Sequence, residues 1–339
     1  MKIDGPLLVD SLDAVPARAR TMEELGFDGL FTFEGQHDPF FPLLIAAEHT
    51  ERIELSTSVA IALARSPMNV ANIAYDLHTY SNGRFALGLG SQIRPHIEKR
   101  FSMPWSKPTA RMREYVLALR EIWGCWNADG KLDFRGEFYT HTLMTPIFNP
   151  GPNPHGMPRV VLAGVGARMT EMAAEVGDGL IVHPFNTARS LAELTMPAVE
   201  AGIARGGRQR EDLELAIQVL AITGKDEASY QRAVDMIRYQ IAFYGSTPAY
   251  RCVLEAEGCG EIQSELNRMS KDGRWDEMLG CISDDLLDRI AIRGEPDTIA
   301  ARIQERYGAY ADRVALASAY ALDDESIATI VSGLRELNT

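Results

Sequence analysis

Arg84-Phe85-Ala86-Leu87-Gly88-Leu89-Gly90-Ser91 is the stretch that decides the fold. It follows Ser81-Asn82-Gly83, a helix stop, and reads as a buried strand whose C-terminal end turns on two glycines. Glycine stands where another backbone or a ligand must come close, because no Cβ obstructs the approach. A strand ending in glycines, inside an alternating βαβα pattern, is where α/β proteins place ligands. The second half repeats the device. Val160-Val161-Leu162-Ala163-Gly164-Val165-Gly166 is another apolar strand, and it runs straight into a helical stretch from Ala167 to Val176. A helix start behind glycines offers free N–H groups to a phosphate.

Strand and helix signals alternate outward from these two segments. Residues 2–9, 29–34 and 53–62 read as strands, separated by helices over 12–25, 42–50 and 67–80. After the strand quoted above comes a punctuated loop, 91–106. Met112, Tyr115, Val116, Leu119, Ile122, Trp123 and Trp126 then fall at helical spacing, as the face of a helix packed on a sheet or as a cofactor wall. Residues 127–158, with Asp129-Gly130, Gly136, Asn149-Pro150-Gly151-Pro152 and Gly156, are too long for an ordinary connection. They cover a site or carry a small hairpin around Leu132 to Tyr139. Asp178 to Pro184 is a sixth strand, 188–205 a helix, Leu213 to Ile222 a seventh strand and 226–243 a helix. Residues 245–291 are helical by pattern and lack a strand. Pro296 opens a further helix at its first turn. Arg313 to Ala319 is the eighth strand and 323–337 the last helix. Eight strands alternating with helices predict a (β/α)₈ TIM barrel, one domain over 1–339 with insertions near 91–106, 127–158 and 245–291. An open doubly wound sheet is the alternative.

The bulk numbers narrow the function. Of 339 residues, 46% are hydrophobic, enough for a full core rather than disorder. The net charge of −13 argues against a nucleic-acid partner, although a local nest of N–H groups can hold phosphate inside an acidic protein. The four cysteines form no C-x-x-C pair, so they read as reduced thiols of a cytoplasmic protein, with no metal site. The N-terminus has no apolar signal core and the chain no run long enough to span a membrane.

In a barrel, the chemistry sits at the C-terminal ends of the strands. That rule selects Glu34 to Asp38, Ser56 to Val59, Gly90-Ser91-Gln92, Gly164 to Arg168 and His183. His37 and His183 are both expected at one mouth, where an imidazole moves a proton near neutral pH or makes a structural hydrogen bond. Glu34 is an acid or the partner of an arginine. His49 and His78 lie on helices and read as structural or exposed. His141 and His155 lie in the long excursion. No G-x-S-x-G elbow or Walker loop occurs, and Gly88-Leu89-Gly90-Ser91 lacks the third glycine of the dinucleotide fingerprint.

At these residues the chain resembles the luciferase-like family of flavin and deazaflavin oxidoreductases, over nearly its whole length. The ordered set that carries the resemblance begins with Glu24-Leu25-Gly26-Phe27-Asp28, Thr57-Ser58-Val59 and Arg65-Ser66-Pro67-Met68. It continues through Ser81-Asn82-Gly83-Arg84-Phe85 to Gly88-Leu89-Gly90, Arg113-Glu114-Tyr115-Val116 to Ile122-Trp123, and Phe134 to Tyr139. Ala163-Gly164-Val165-Gly166, Gly177-Asp178-Gly179 and Gly294-Glu295-Pro296 complete it. Within the family the chain looks most like the branch using coenzyme F420, a deazaflavin, with FMN as the alternative cofactor.

The resemblance implies roles. Ser58 and Val59 match a non-proline cis peptide bulge behind the tricyclic ring. Gly164, Val165, Gly166 and Ala167, after Ala163, match the segment whose N–H groups hold the cofactor phosphate. His37 matches the position beside the reacting carbon, and Gly90, Ser91 and Gln92 the loop at the ring edge. Related sugar-phosphate dehydrogenases place a glutamate shortly after the Gly-x-Gly strand. Here that register gives Gln92-Ile93-Arg94, and the next acid is Glu98. The expectations are hydride transfer between F420 and a small-molecule substrate, an FMN monooxygenase using reduced flavin and oxygen, or a non-catalytic cofactor-binding barrel. Pairing into a homodimer through the apolar segment Phe40, Phe41, Leu43, Leu44 and Ile45 is also expected, core packing being the other use of those residues.

Overall fold

The computed structural model describes residues 1–128, 130–318 and 320–337. Asp129 of the Asp129-Gly130 turn and Ala319 at the end of the eighth predicted strand lie outside the described residues. The short runs rich in aliphatic and β-branched residues become eight parallel strands: β1 Lys2–Pro6, β2 Gly29–Thr32, β3 Glu54–Thr57, β4 Phe85–Gly90, β5 Arg159–Gly164, β6 Gly179–Val182, β7 Glu214–Val219 and β8 Arg313–Leu316. Each pairs with the next, and Ile3 of β1 opposite Val314 of β8 closes the cylinder. The fold is a (β/α)₈ barrel; the open doubly wound alternative is excluded by that closure.

Side chains alternate across each strand. Leu55, Phe85, Leu87, Leu162, Leu180 and Ile217 belong to the large core shared with the helices. The interior takes small and medium residues, Ala86, Val161, Ile181 and Ala216. Below them, at the N-terminal end, Arg313 bridges Asp4 (2.5 Å) and Glu214 (3.3 Å) and contacts Glu54, while Arg159 bridges Glu54 (3.4 Å) and Glu214 (3.2 Å). Burial raises the Asp4 carboxyl to about 6 against the opposing pull of Arg313. The helix Pro67–Tyr80 starts where expected, with Ser66 accepting from the Asn69 N–H and proline at its first position. The stripe from Met112 to Trp126 is buried in the helix Pro108–Ala128, so it is core. Phe40 and Leu43 are buried in the helix Phe40–His49, whereas Phe41 and Leu44 are exposed.

Three expectations are corrected. The third and seventh strands are each interrupted, resuming as Ala60–Ile61 and Ala221–Ile222. Loop 91–106 contains a π-helical turn, His96–Arg100. The insertion begins earlier than 245. Ala221–Ile222 pairs in parallel with Ile292–Arg293, so the chain between them forms one excursion with its own entrance and exit. The helix Glu227–Gly245 belongs to it, because Ala233, Val234, Ile237 and Ile241 bury into a second core with Leu254, Leu266 and Leu287. The helix that follows β7 around the barrel is Pro296–Tyr307, packed on Asp324–Leu337. The hairpin of the other excursion is present, as Phe134–Arg135 paired with Thr140–His141.

Candidate functional site

Parallel strands in a closed barrel end on one rim, which brings the loops after β2 to β6 together. Strand β3 stops at Thr57, and the Ser58–Val59 peptide that follows is cis. Its neighbours hold it from both sides. The Ser58 N–H donates to the Thr32 carbonyl (2.5 Å) and the Glu34 N–H donates to the Val59 carbonyl (3.2 Å). On the other side, Thr57 Oγ1 donates to the Gly88 carbonyl (2.7 Å) and accepts from the Gly88 N–H (3.0 Å). A Cβ on Gly88 would lie 1.6 Å from the Thr57 carbonyl oxygen, and one on Gly90 would lie 2.6 Å from Val59 Cγ2. The group that comes close to these two glycines is therefore the chain's own β3 and its bulge. Ser91 and Gln92 spend polar atoms on their own loop. Ser91 Oγ donates to the Gln92 carbonyl (3.0 Å), and Gln92 Oε1 accepts from the Ile93 N–H (3.0 Å).

His37 stands exposed on the loop after β2, and its imidazole makes no hydrogen bond among the described residues. The loop itself is tied down. Arg65 bridges Glu34 (2.6 Å) and Asp38 (3.1 Å), and Arg100 donates to the Gly35 carbonyl (2.5 Å). Glu34 also accepts from the Ile61 N–H (2.7 Å). Of its two expected uses, the structure gives Glu34 that of arginine partner. His78 is structural, within 2.9 Å of the Phe85 carbonyl.

His183 follows β6 directly. Its Nδ1 accepts from the Phe185 N–H (3.1 Å), which places the single proton of the neutral ring on Nε2. Tyr244 and Tyr250, both from the insertion, pack their rings 4.6 Å from the imidazole. Burial pushes its pKa down to about 3. Desolvation favours the neutral ring, in which Nε2 carries the N–H.

His183 lines a cleft of ≈ 380 Å³, partly open to solvent, with Gly164, Val165, Gly166 and Asn186. Gly166, at φ +76°, is the N-cap of the helix Ala167–Val176, and no side chain caps that helix. Nothing lies within 4 Å of where a Gly166 Cβ would sit. The first-turn N–H groups are thus left without a side-chain cap, as an anion site requires. Asn186 is 3% exposed; its Nδ2 donates to the His183 (2.8 Å) and Gln218 (3.3 Å) carbonyls, and its Oδ1 has no partner. An uncapped helix start lining an open cleft fits the phosphate end of a cofactor. Ala163, one residue below Gly164, is half-buried at the top of the barrel interior.

Sequence reasoning missed Gln218, Asn186, Tyr244 and Tyr250. Gln218 alone carried a signal: it is the polar residue in Leu215-Ala216-Ile217-Gln218-Val219, on the alternation that faces the barrel interior. Among the described residues no cluster of three or more metal-ligating side chains occurs, and no helix is long and apolar enough to cross a membrane.

Comparison with known proteins bears on the fold and the family. An uncharacterised protein of Mycobacterium tuberculosis is 52% identical, over 93% of this chain and 92% of its own length. The F420-dependent glucose-6-phosphate dehydrogenase of Intrasporangium calvum is 29% identical, over 66% of this chain and 67% of its own length. The solved structure of the coenzyme F420 dependent tetrahydromethanopterin reductase from Methanopyrus kandleri superposes with a TM-score of 0.81, covering 99% of both chains at 19% identity. Residues 2–313 match the luciferase-like monooxygenase family, and the chain belongs to that family.

Proposed function

We propose that this chain is a coenzyme F420-dependent oxidoreductase acting on a small organic substrate. The observation that carries the reading is the cleft at the uncapped start of Ala167–Val176, lined by Gly164, Val165, Gly166 and His183. The choice of deazaflavin over FMN is supported by the relative named for F420 at 29% identity. Bound there, the coenzyme supplies the hydride chemistry, and the protein supplies position and electrostatics. The N–H groups of Gly166, Ala167 and Arg168 would hold its phosphate, with His183 as a neutral donor in the same cleft. Ser58 and Val59 would support its ring. His37, with its imidazole free, orients a substrate oxygen or moves its proton.

The relative's sugar phosphate does not extend to this chain. The register after Gly90 gives Gln92-Ile93-Arg94, and Glu98 is paired with Arg94 (2.9 Å). Fluorescence titration with oxidised F420, beside an FMN titration and oxygen uptake with reduced FMN, tests the reading. Saturable quenching by F420 without flavin-driven oxygen consumption is expected. Tight FMN binding with oxygen consumption, and no response to F420, would overturn it.

A further inference from the structure

The top of the barrel interior holds one polar pair between apolar walls. Gln218 Nε2, on β7, donates to Ser58 Oγ at the end of β3 across 3.0 Å. Gln218 is 9% exposed, and Ala86, Val161, Ile181 and Ala216 form the apolar layer beside it. Among the described residues, Ser58 is the only group its carboxamide bonds. A carboxamide buried in such a layer is unfavourable unless it is hydrogen-bonded. Its backbone is fixed as well, since the Gln218 carbonyl accepts from Asn186 Nδ2 (3.3 Å).

A serine hydroxyl has one hydrogen and two lone pairs. The Gln218 N–H takes a lone pair of Ser58 Oγ, and Ser58 gives its own hydrogen to no described residue. Its backbone cannot rotate away, because the Ser58 N–H is held by the Thr32 carbonyl at 2.5 Å. With one lone pair committed to Gln218, the hydroxyl hydrogen is left for a bound group. We infer that Gln218 is a positioning residue: by donating to Ser58 it makes the Ser58 hydroxyl a fixed donor to a carbonyl oxygen or ring nitrogen of the flat heterocycle bound over residues 58 and 59. This rests on the functional reading above.

The polarity of the pair is what the test reverses. Gln218→Glu keeps the shape, but its carboxylate only accepts, so it takes the Ser58 hydrogen. Wild type, Q218E, Q218M, S58A and the double variant Q218M/S58A are titrated with oxidised F420, reading dissociation constant and visible absorption maximum, with a thermal melt for each. S58A, Q218M and Q218E each weaken binding, by about 5- to 10-fold for one lost hydrogen bond, and abolish the bound-state absorption shift. The double variant binds no more weakly than S58A, because Gln218 acts only through Ser58. Should Q218E not fold, Q218M carries the comparison. If the glutamine variants match wild type in affinity and spectrum, or the double variant shows additive losses, the inference is overturned alone. A wild-type chain that binds no F420 overturns the functional reading and this inference with it.

Discussion

Thr57 and Gly88 meet across the barrel wall at a separation that leaves no room for a side chain. The threonine hydroxyl exchanges two hydrogen bonds with the glycine backbone, and the Thr57 carbonyl oxygen lies 1.6 Å from where a Gly88 Cβ would be. Gly88→Ala must therefore move backbone rather than a flexible side chain. A loss of about 1–3 kcal/mol is expected, read as a lower urea midpoint. An unchanged midpoint would mean that the two strands separate freely there.

The loop carrying His37 hangs on Arg65. Glu34 keeps only 6% of its side chain exposed, so Arg65→Met leaves a buried carboxylate with the Ile61 N–H as its remaining donor. Removing one partner of a buried pair costs several kcal/mol, and solvent reaching Arg65 brings the expected loss to about 2–3 kcal/mol. The double variant E34Q/R65M should recover part of it. Urea unfolding of both variants decides the matter, and an R65M midpoint equal to that of wild type would show that the pair contributes nothing.

His183 gives the stability a pH dependence with a definite sign. Its pKa falls from an ordinary 6.5 to about 3 in the folded chain. Below 6.5 the unfolded chain takes up a proton that the folded one refuses. Its contribution is thus complete above pH 6.5, falls through the interval and levels off near 3, with a slope of at most about 1.4 kcal/mol per pH unit. His183→Asn should flatten this part of the curve of stability against pH. The same variant should leave the neutral region of a pH–rate profile unchanged in shape, because no His183 titration lies there. A neutral-pH inflection that disappears in this variant would contradict the assignment of His183 as a neutral donor.

Ala167 separates folding from binding. It is exposed at the first position of an uncapped helix, so Ala167→Asp complements the helix dipole and should add about 0.5 kcal/mol of stability. The same charge repels a phosphate at those N–H groups and should weaken F420 binding about 10-fold or more. Thermal melts and titration of one variant give both signs. A variant that binds F420 as wild type does would place the phosphate elsewhere.

Much of the barrel was legible because each strand is a short apolar run bounded by punctuation, as Arg84 to Ser91 and Val160 to Gly166 are. The rim was legible only as strand ends. Its bonds join residues far apart in the chain, and no local pattern announces that Gln218 reaches Ser58 or that Tyr244 and Tyr250 close on His183. The glycines of β4 stood out, but periodicity does not say what approaches a glycine; here it is Thr57 and Val59. The insertion was misplaced for a related reason. The helix Glu227–Gly245 has an amphipathic pattern suited to any core, and only the pairing of Ala221–Ile222 with Ile292–Arg293 assigns it to the second one.

A crystal structure of the chain with F420 shows where the coenzyme sits. The phosphate is expected on the N–H groups of Gly166 and Ala167 beside His183, and the ring over Ser58 and Val59 within hydrogen-bonding reach of the Ser58 hydroxyl. A coenzyme bound away from this rim, or a rim filled by FMN while F420 is refused, would contradict it.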